Sequence, residues 1–336
     1  MKLVRTTLII LLVFAVAVGF AFAGGQQDKA APAEEEAEED TLKAACLMSG
    51  PINDGGWNQQ AYEGLVRLRD NLGYEIAYTE LVKKAEQKSL LRNYAQKGFD
   101  LIFGHGFEFA DAINEVAPEY PDVTFYNIGG NAHAENAGSG VFAQGELSYL
   151  AGKLAAKFTK TDKIGFVGAM EIPTIKTEVQ QIKDTVAEYN PDATVTVAYT
   201  GSWTDVNKGK EAALAQISQG VDIIIAIGDA CDVGAIQAAE DKDAYVIAWV
   251  GDFNDLAPET VLTSGVQDVA MLVEMQGRKF KNGTWENEKA RAYDVASGIE
   301  HLGKWSPVVP EDLKQEILAD EEKIANGELN VKRSFE

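Results

Sequence analysis

The sequence predicts an α/β protein of two similar lobes, each a parallel sheet flanked by helices, joined by a hinge. Three observations predict it. Strand-like runs alternate with helix-like runs from Leu42 onward, the pattern of parallel sheets with right-handed crossovers. The strand-like runs are almost continuously apolar, as strands are when helices cover both sheet faces. The plan is also written twice. "GFDLIFGHG" starts at Gly98 and "GVDIIIAIGD" at Gly220, 122 residues apart, while "AYT" occurs at Ala77 and again at Ala198, 121 apart. A helix-like segment separates the two landmarks in each copy, and a helix and a strand follow.

The elements follow in order. Lys2 and Arg5, the apolar run Leu8 to Val18 and the small-x-small Ala21-Phe22-Ala23 read as a signal peptide over residues 1–23. That implies export, with cleavage near Ala23. Residues 24–41, mostly "GGQQDKAAPAEEEAEED", read as an acidic, disordered tether, because such a run has too little apolar surface to offset the entropy of ordering. "LKAACLMSG", "YEIAYTEL", "DLIFGHG" and "VTFYNIG" are the strands of the first lobe; "KIGFVGAM", "TVTVAYTG", "DIIIAIGD" and "AYVIAWVG" are those of the second. Residues 145–163 read as a helix passing between lobes. "ETVLTSGVQD" offers a further strand after a second crossing. The expected boundaries are 42–148 plus about 252–285 for the first lobe, and 149–251 plus about 286–336 for the second.

Composition narrows the partners. The 336 residues carry 30 Lys and Arg against 52 Asp and Glu, a formal charge of -22. That excess argues against nucleic acid and against an anionic membrane surface. The two cysteines, Cys46 and Cys231, lie in apolar or strand-end contexts far apart and read as free, buried thiols.

In open parallel sheets, ligands bind beyond the carboxyl ends of the strands. The loops there read "PINDGGWN", "HGFEF", "NIGGNAHAEN", "MEIPTIK", "GSWTDVNK", "GDACDV" and "GDFND". They hold Trp57, Phe107, Phe109, Trp203 and Phe253 beside Asp54, Glu108, Glu171, Asp205, Asp229, Asp232 and Asp252, with no arginine. An indole from each lobe can clamp a planar ring, while carboxylates accept from its N–H or hydroxyl groups. The lack of arginine disfavours a phosphate or carboxylate ligand. A nucleobase or nucleoside fits, and so does a quaternary amine in an aromatic cage. Asp54 and Asp205 also fit as helix caps, and His105 as a cleft residue or a loop-stabilising one. Trp285 and Trp305 read as structural. His105, His133 and His301 have no metal-ligand spacing, and no nucleophile–base constellation appears, so neither a metal site nor an enzyme is expected.

From about Leu42 onward the chain resembles the basic membrane protein family of substrate-binding proteins, which includes purine nucleoside receptors of ABC importers. "INDGGWNQQAYEGL", "GFDLIFGHGF", "GELSYLAGKLAAKFTKTDKIGFVGAMEIP", "YTGSWTDVNKGKEAA" and "GVDIIIAIGDACDVGAIQAA" carry the resemblance, in the family's order. It implies a class I periplasmic-binding-protein fold, a ligand enclosed between the lobes, and a permease and ATPase as partners. By position it makes Asp54, Trp57 and Asn58 the first-loop ligand group, with Trp203 the facing aromatic.

The sequence departs from the family at Asp229 and Asp232 in a Gly-rich loop, at Val250 where an acid is expected before Asp252, and at Gln267 in place of a lysine. These changes weaken the nucleoside reading relative to a free purine base. Without an anchoring cysteine, the expectation is a monomeric receptor free in the periplasm that binds a purine with Asp54, Trp57, Asn58, His105, Phe107, Trp203, Asp229, Asp232 and Asp252, and needs no cofactor. The alternative is a sensor for a small neutral or cationic ligand that signals to a membrane receptor.

Overall fold

The computed structural model describes residues 41–332. The expected signal peptide and nearly all of the expected tether lie outside the described residues. The first lobe opens as β1 (Lys43–Met48), α1 (Trp57–Leu72), β2 (Glu75–Thr79), α2 (Gln87–Gln96), β3 (Leu101–His105), α3 (Ala110–Val116), β4 (Thr124–Ile128) and β5 (Ala137–Phe142). The second follows as α4 (Glu146–Phe158), β6 (Lys163–Gly168), α5 (Pro173–Tyr189), β7 (Thr194–Tyr199), α6 (Val206–Ile217), β8 (Ile223–Ile227), α7 (Ala230–Glu240), β9 (Tyr245–Val250) and β10 (Val261–Gln267). The chain then forms α8 (Val269–Lys281) and β11 (Arg291–Tyr293), and finally β12 (Glu300–Leu302) and α9 (Glu311–Ala325).

The duplication read in the sequence is a duplication of topology. One sheet runs β2-β1-β3-β4-β5-β11 and the other β7-β6-β8-β9-β10-β12. Within each, the central strand of the repeat pairs parallel with its neighbours, Cys46 opposite Phe103 in the first and Phe166 opposite Ile225 in the second. Only β12 is antiparallel to its neighbour among the described strands. Each strand feeds two cores because successive side chains point to opposite faces. Ala44, Cys46 and Met48 enter the cluster beneath α1 and α8, whereas Ala45 and Leu47 enter the cluster beneath α2 and α3. In the second lobe, α4, α5 and α9 cover one face around Leu150, Ile182 and Ile317, and α6 and α7 cover the other around Ala213 and Ile236.

Two boundaries differ from expectation. Val261–Gln267, expected in the first lobe, is β10 of the second sheet, and Arg291–Tyr293, expected in the second, joins the first. All of β10 is buried, so it needs a sheet edge within reach, and the short connection from β9 brings it to β9's own free side. The crossing comes only at Asp268, whose side chain caps α8 by accepting from Met271 N. The helix expected to pass between lobes belongs wholly to the second, where α4 packs on α5 and α9.

Three crossings therefore join the lobes, at residues 143–145, 267–268 and 294–299. They are laced together. Ala143 N–H donates to Tyr293 O (2.7 Å) and Asp268 N–H to Ile299 O (2.8 Å). Val295 N–H donates to Glu146 Oε2 (3.0 Å), and Gln267 Nε2 to Glu300 Oε1 (3.0 Å).

Candidate functional site

The loop from β1 to α1 is built around Asp54. Its carboxylate accepts from the backbone N–H groups of Gly56, Asn58 and Gln59, each at 3.0 Å, and from Asn58 Nδ2 at 2.7 Å. It thus satisfies donors that the first turn of α1 leaves open. Asn58 Oδ1 in turn accepts from Gly50 N at 3.3 Å. Both Asp54 and Asn58 are buried and committed to shaping the loop.

That loop presents Trp57 as the first residue of α1. Its indole stacks on the His105 imidazole, centroids 4.2 Å apart and planes 26° apart, and meets Phe142 edge-on at 5.6 Å. Gly129, at φ 74°, keeps space for it: a Cβ there would sit 2.9 Å from Trp57 Cζ2. Trp57 is half-buried and packs against apolar clusters of both lobes. His105, at the end of β3, is fully buried and holds Trp57 from below. Its Nε2 lies 2.9 Å from the Trp57 carbonyl; a carbonyl only accepts, so Nε2 carries the proton. Burial pushes the imidazole pKa down to about 3, which keeps it neutral, with Nδ1 a buried acceptor that has no partner.

The second lobe meets this loop directly. Gln60, three residues after Trp57, donates from Nε2 to Val250 O at 2.6 Å and accepts from Val269 N at 3.0 Å. Gly55 lies under Phe253 and Val233, and a Cβ on Gly251 would sit 2.8 Å from Gly55 O. Asp229, just before α7, accepts a long 3.4 Å bond from Trp57 N. Burial, and then the charge of Asp54, push its carboxyl up to about 8. Asp232, in the first turn of α7, is fully buried, and one of its oxygens accepts from Trp249 N at 3.3 Å. Burial, and then Asp229, raise it well above the carboxylate range. Burial thus shifts both acids toward the neutral form, in which a carboxyl can donate as well as accept.

Trp203, in the loop after β7, is half-buried against the second-lobe cluster that also receives Trp57. Its carbonyl accepts from Ala230 N at 3.1 Å. Among the described residues the two indoles do not stack on each other, and Trp57 has one face on His105 of its own lobe. Phe107 is 68% exposed at the end of β3. Asp252 is exposed and accepts from Asn254 N (3.2 Å) and Lys304 N (3.0 Å), which ties it to its own lobe. Asp205 is the cap of α6. Asp54, Trp57, Asn58, His105 and Asp229 thus come together, with Asp232 behind them and Trp203 bonded to the start of α7, while Asp252 is held by backbone amides of its own lobe.

Gln60 is not among the residues that the sequence singles out, and Val250 enters there only as the place where an acid is expected. Gln60 lies one residue before the apolar stripe Ala61, Leu65, Leu68 of α1; a polar residue beside such a stripe is the signal it offers. Cys46 and Cys231 are free, buried and in different lobes. Among the described residues no cluster of three metal-ligating side chains occurs, and no helix is long and apolar enough to cross a membrane. A hollow of about 590 Å³ lies at the opposite end of β9, beside Tyr245 and Glu259.

Two parallel α/β lobes, joined by three crossings and meeting at their strand ends around an aromatic, acid-rich loop, define a two-lobed solute-binding protein. The chain belongs to the family of PnrA-like ABC transporter substrate-binding proteins, whose model matches residues 41–334. It is similar to the transcriptional activator protein med of Bacillus subtilis, 31% identical over 82% of this chain and 86% of that one. It is similar also to a purine-binding protein of Brucella abortus, 30% identical over 95% of this chain and 88% of the relative. Among solved structures, an ABC transporter solute-binding protein from Conexibacter woesei matches with a TM-score of 0.74 and 27% identity, over 87% of this chain and 99% of that one.

Proposed function

We propose that this chain is the receptor of an ABC importer for a purine base or nucleoside. It works outside the cytoplasmic membrane as a monomer and hands its ligand to a permease and its ATPase. The observation that carries the reading is the position of Trp57. The indole is braced on His105, sits where the lobes meet and packs on both. A braced ring loses little entropy when a flat ligand stacks on its remaining face, and Trp203 of the facing lobe supplies the opposing surface. Asp229, whose burial favours the neutral carboxyl, offers a base edge both a donor and an acceptor. The purine-binding relative from Brucella abortus supports the same ligand class.

Tryptophan fluorescence titrated with adenine, guanine, adenosine, guanosine and choline tests the reading. Saturable quenching by at least one purine at micromolar concentration is the expected result. A response to choline alone, or to none of the five, overturns it.

A further inference from the structure

The junction between the lobes contains a group whose surroundings must change whenever the lobes part. Asp229 belongs to the second lobe, yet its carboxyl is held against the first. Oδ1 faces the Trp57 N–H at 3.4 Å, and a Cβ placed on Gly56 would lie 3.0 Å from the same oxygen. Only 7% of the residue is exposed. Its backbone takes φ 52°, ψ -114°, a strained conformation for a residue with a side chain. The strain is held by bonds on either side, from Ala230 N to Trp203 O and from Asp232 N to Asp229 O. The loop opposite is fixed by Asp54, so closure brings two carboxyl groups of different lobes together.

We propose that closing the lobes takes up one proton from solvent, held by Asp229 against the 53–57 loop of the facing lobe. This rests on the reading of the protein as a receptor that opens and closes. Burial and the charge of Asp54, which faces it from the first lobe, favour the neutral form of Asp229 and outweigh the Trp57 N–H, which favours the charged one. Asp232 stands behind it on α7. His105, beneath Trp57, is neutral. Asp205 is engaged in capping α6. Lys210 of α6 pairs with Asp241 at the far end of α7, and Asp252 faces the Lys304 amide.

When the lobes part, Asp229 exchanges this enclosure for water and ionises as an ordinary carboxyl. The closed form then binds more protons than the open form between the ordinary carboxylate range and about pH 8. By linkage, the ratio of closed to open molecules falls by up to about tenfold for each unit of rising pH in that window, and levels off above it.

Small-angle X-ray scattering of the ligand-free protein from pH 5.5 to 9.5, at fixed ionic strength, tests this. The wild type should expand as pH rises and stop expanding near pH 8. Asp229→Asn, which keeps the shape and mimics the protonated acid, should stay compact throughout. Asp54→Asn, which keeps an acceptor for the loop but removes the facing charge, should show a smaller expansion. A wild type of constant radius overturns the proposal, as does an Asp229→Asn protein that expands like the wild type. If Asp229→Asn fails to fold, the Asp54→Asn response decides, and an expansion undiminished from wild type overturns it. No purine is added, so failure of the purine titration with the pH response intact would sink the ligand assignment alone.

Discussion

Trp57 combines three functions in one residue: its carbonyl fixes His105, its N–H faces Asp229, and its ring spans the lobe junction. Removing the ring leaves the two backbone contacts in place, so the substitution isolates the stacking surface. Trp57→Ala is expected to weaken purine binding by about 1–3 kcal/mol, and Trp57→Phe by less, because a smaller flat face remains. Calorimetric titration of both variants checks it; equal affinity for wild type and Trp57→Ala would remove the indole from the site. Part of this was legible in the sequence. A tryptophan in a strand-end loop of each lobe was visible from the turn residues around it. What could not be read was the brace, because His105 lies 48 residues away and meets Trp57 only through the adjacency of β1 and β3. The surroundings of Asp252 were unreadable for the same reason: its partner, the Lys304 amide, is 52 residues downstream.

At the scale of the element, the start of α1 is the device that positions the junction. Asp54 takes three backbone N–H groups of the turn, more than a single cap ordinarily satisfies. Asp54→Ala should therefore cost about 1–2 kcal/mol of stability, measured as a shift in urea midpoint, and Asp54→Asn should also destabilise, since each carboxylate oxygen accepts from two donors and an amide turns its NH2 on one such pair. Equal midpoints for wild type and the alanine variant would show that the cap is dispensable. The local signal was readable here: Asn-Asp-Gly-Gly before an amphipathic run is a turn followed by a helix start. The same logic made the duplicated strands readable, since each is a short apolar run bounded by turn residues. It failed for β10, because a fully buried strand looks the same whichever sheet receives it. Only the placement of the Asp268 cap, after that strand rather than before it, marks where the chain crosses.

The whole molecule carries its acids unevenly, and this gives its stability a pH dependence of definite sign. At the crossings between lobes, Glu178 is buried and accepts from Gly145 N and Ser148 Oγ, and burial pushes it up to about 7. Glu300 is fully buried with one oxygen unpartnered, and burial, followed by the charge of Glu178, raises it well above the ordinary carboxylate range. A carboxyl whose folded pKa is raised contributes stability that is fully present below its unfolded pKa and is lost as pH rises through the folded one. Glu178, Glu300, Asp229 and Asp232 all act in this direction. His105 acts the other way: its pKa is depressed, so its contribution is present above its unfolded value near 6.5 and lost as pH falls toward 3. Above pH 6.5 the His105 contribution no longer varies and the carboxyls alone set the slope, so the melting temperature should fall from pH 6.5 to pH 8. Glu178 by itself accounts for about 1 kcal/mol over that interval. Glu178→Gln keeps an acceptor for Gly145 and Ser148 but cannot ionise, so it should flatten the fall without lowering stability at pH 8. Differential scanning calorimetry of the two proteins across pH 6–8.5 checks it. A slope unchanged by the substitution would mean that Glu178 holds the same charge folded and unfolded, and that the crossings are tied by their backbone bonds alone.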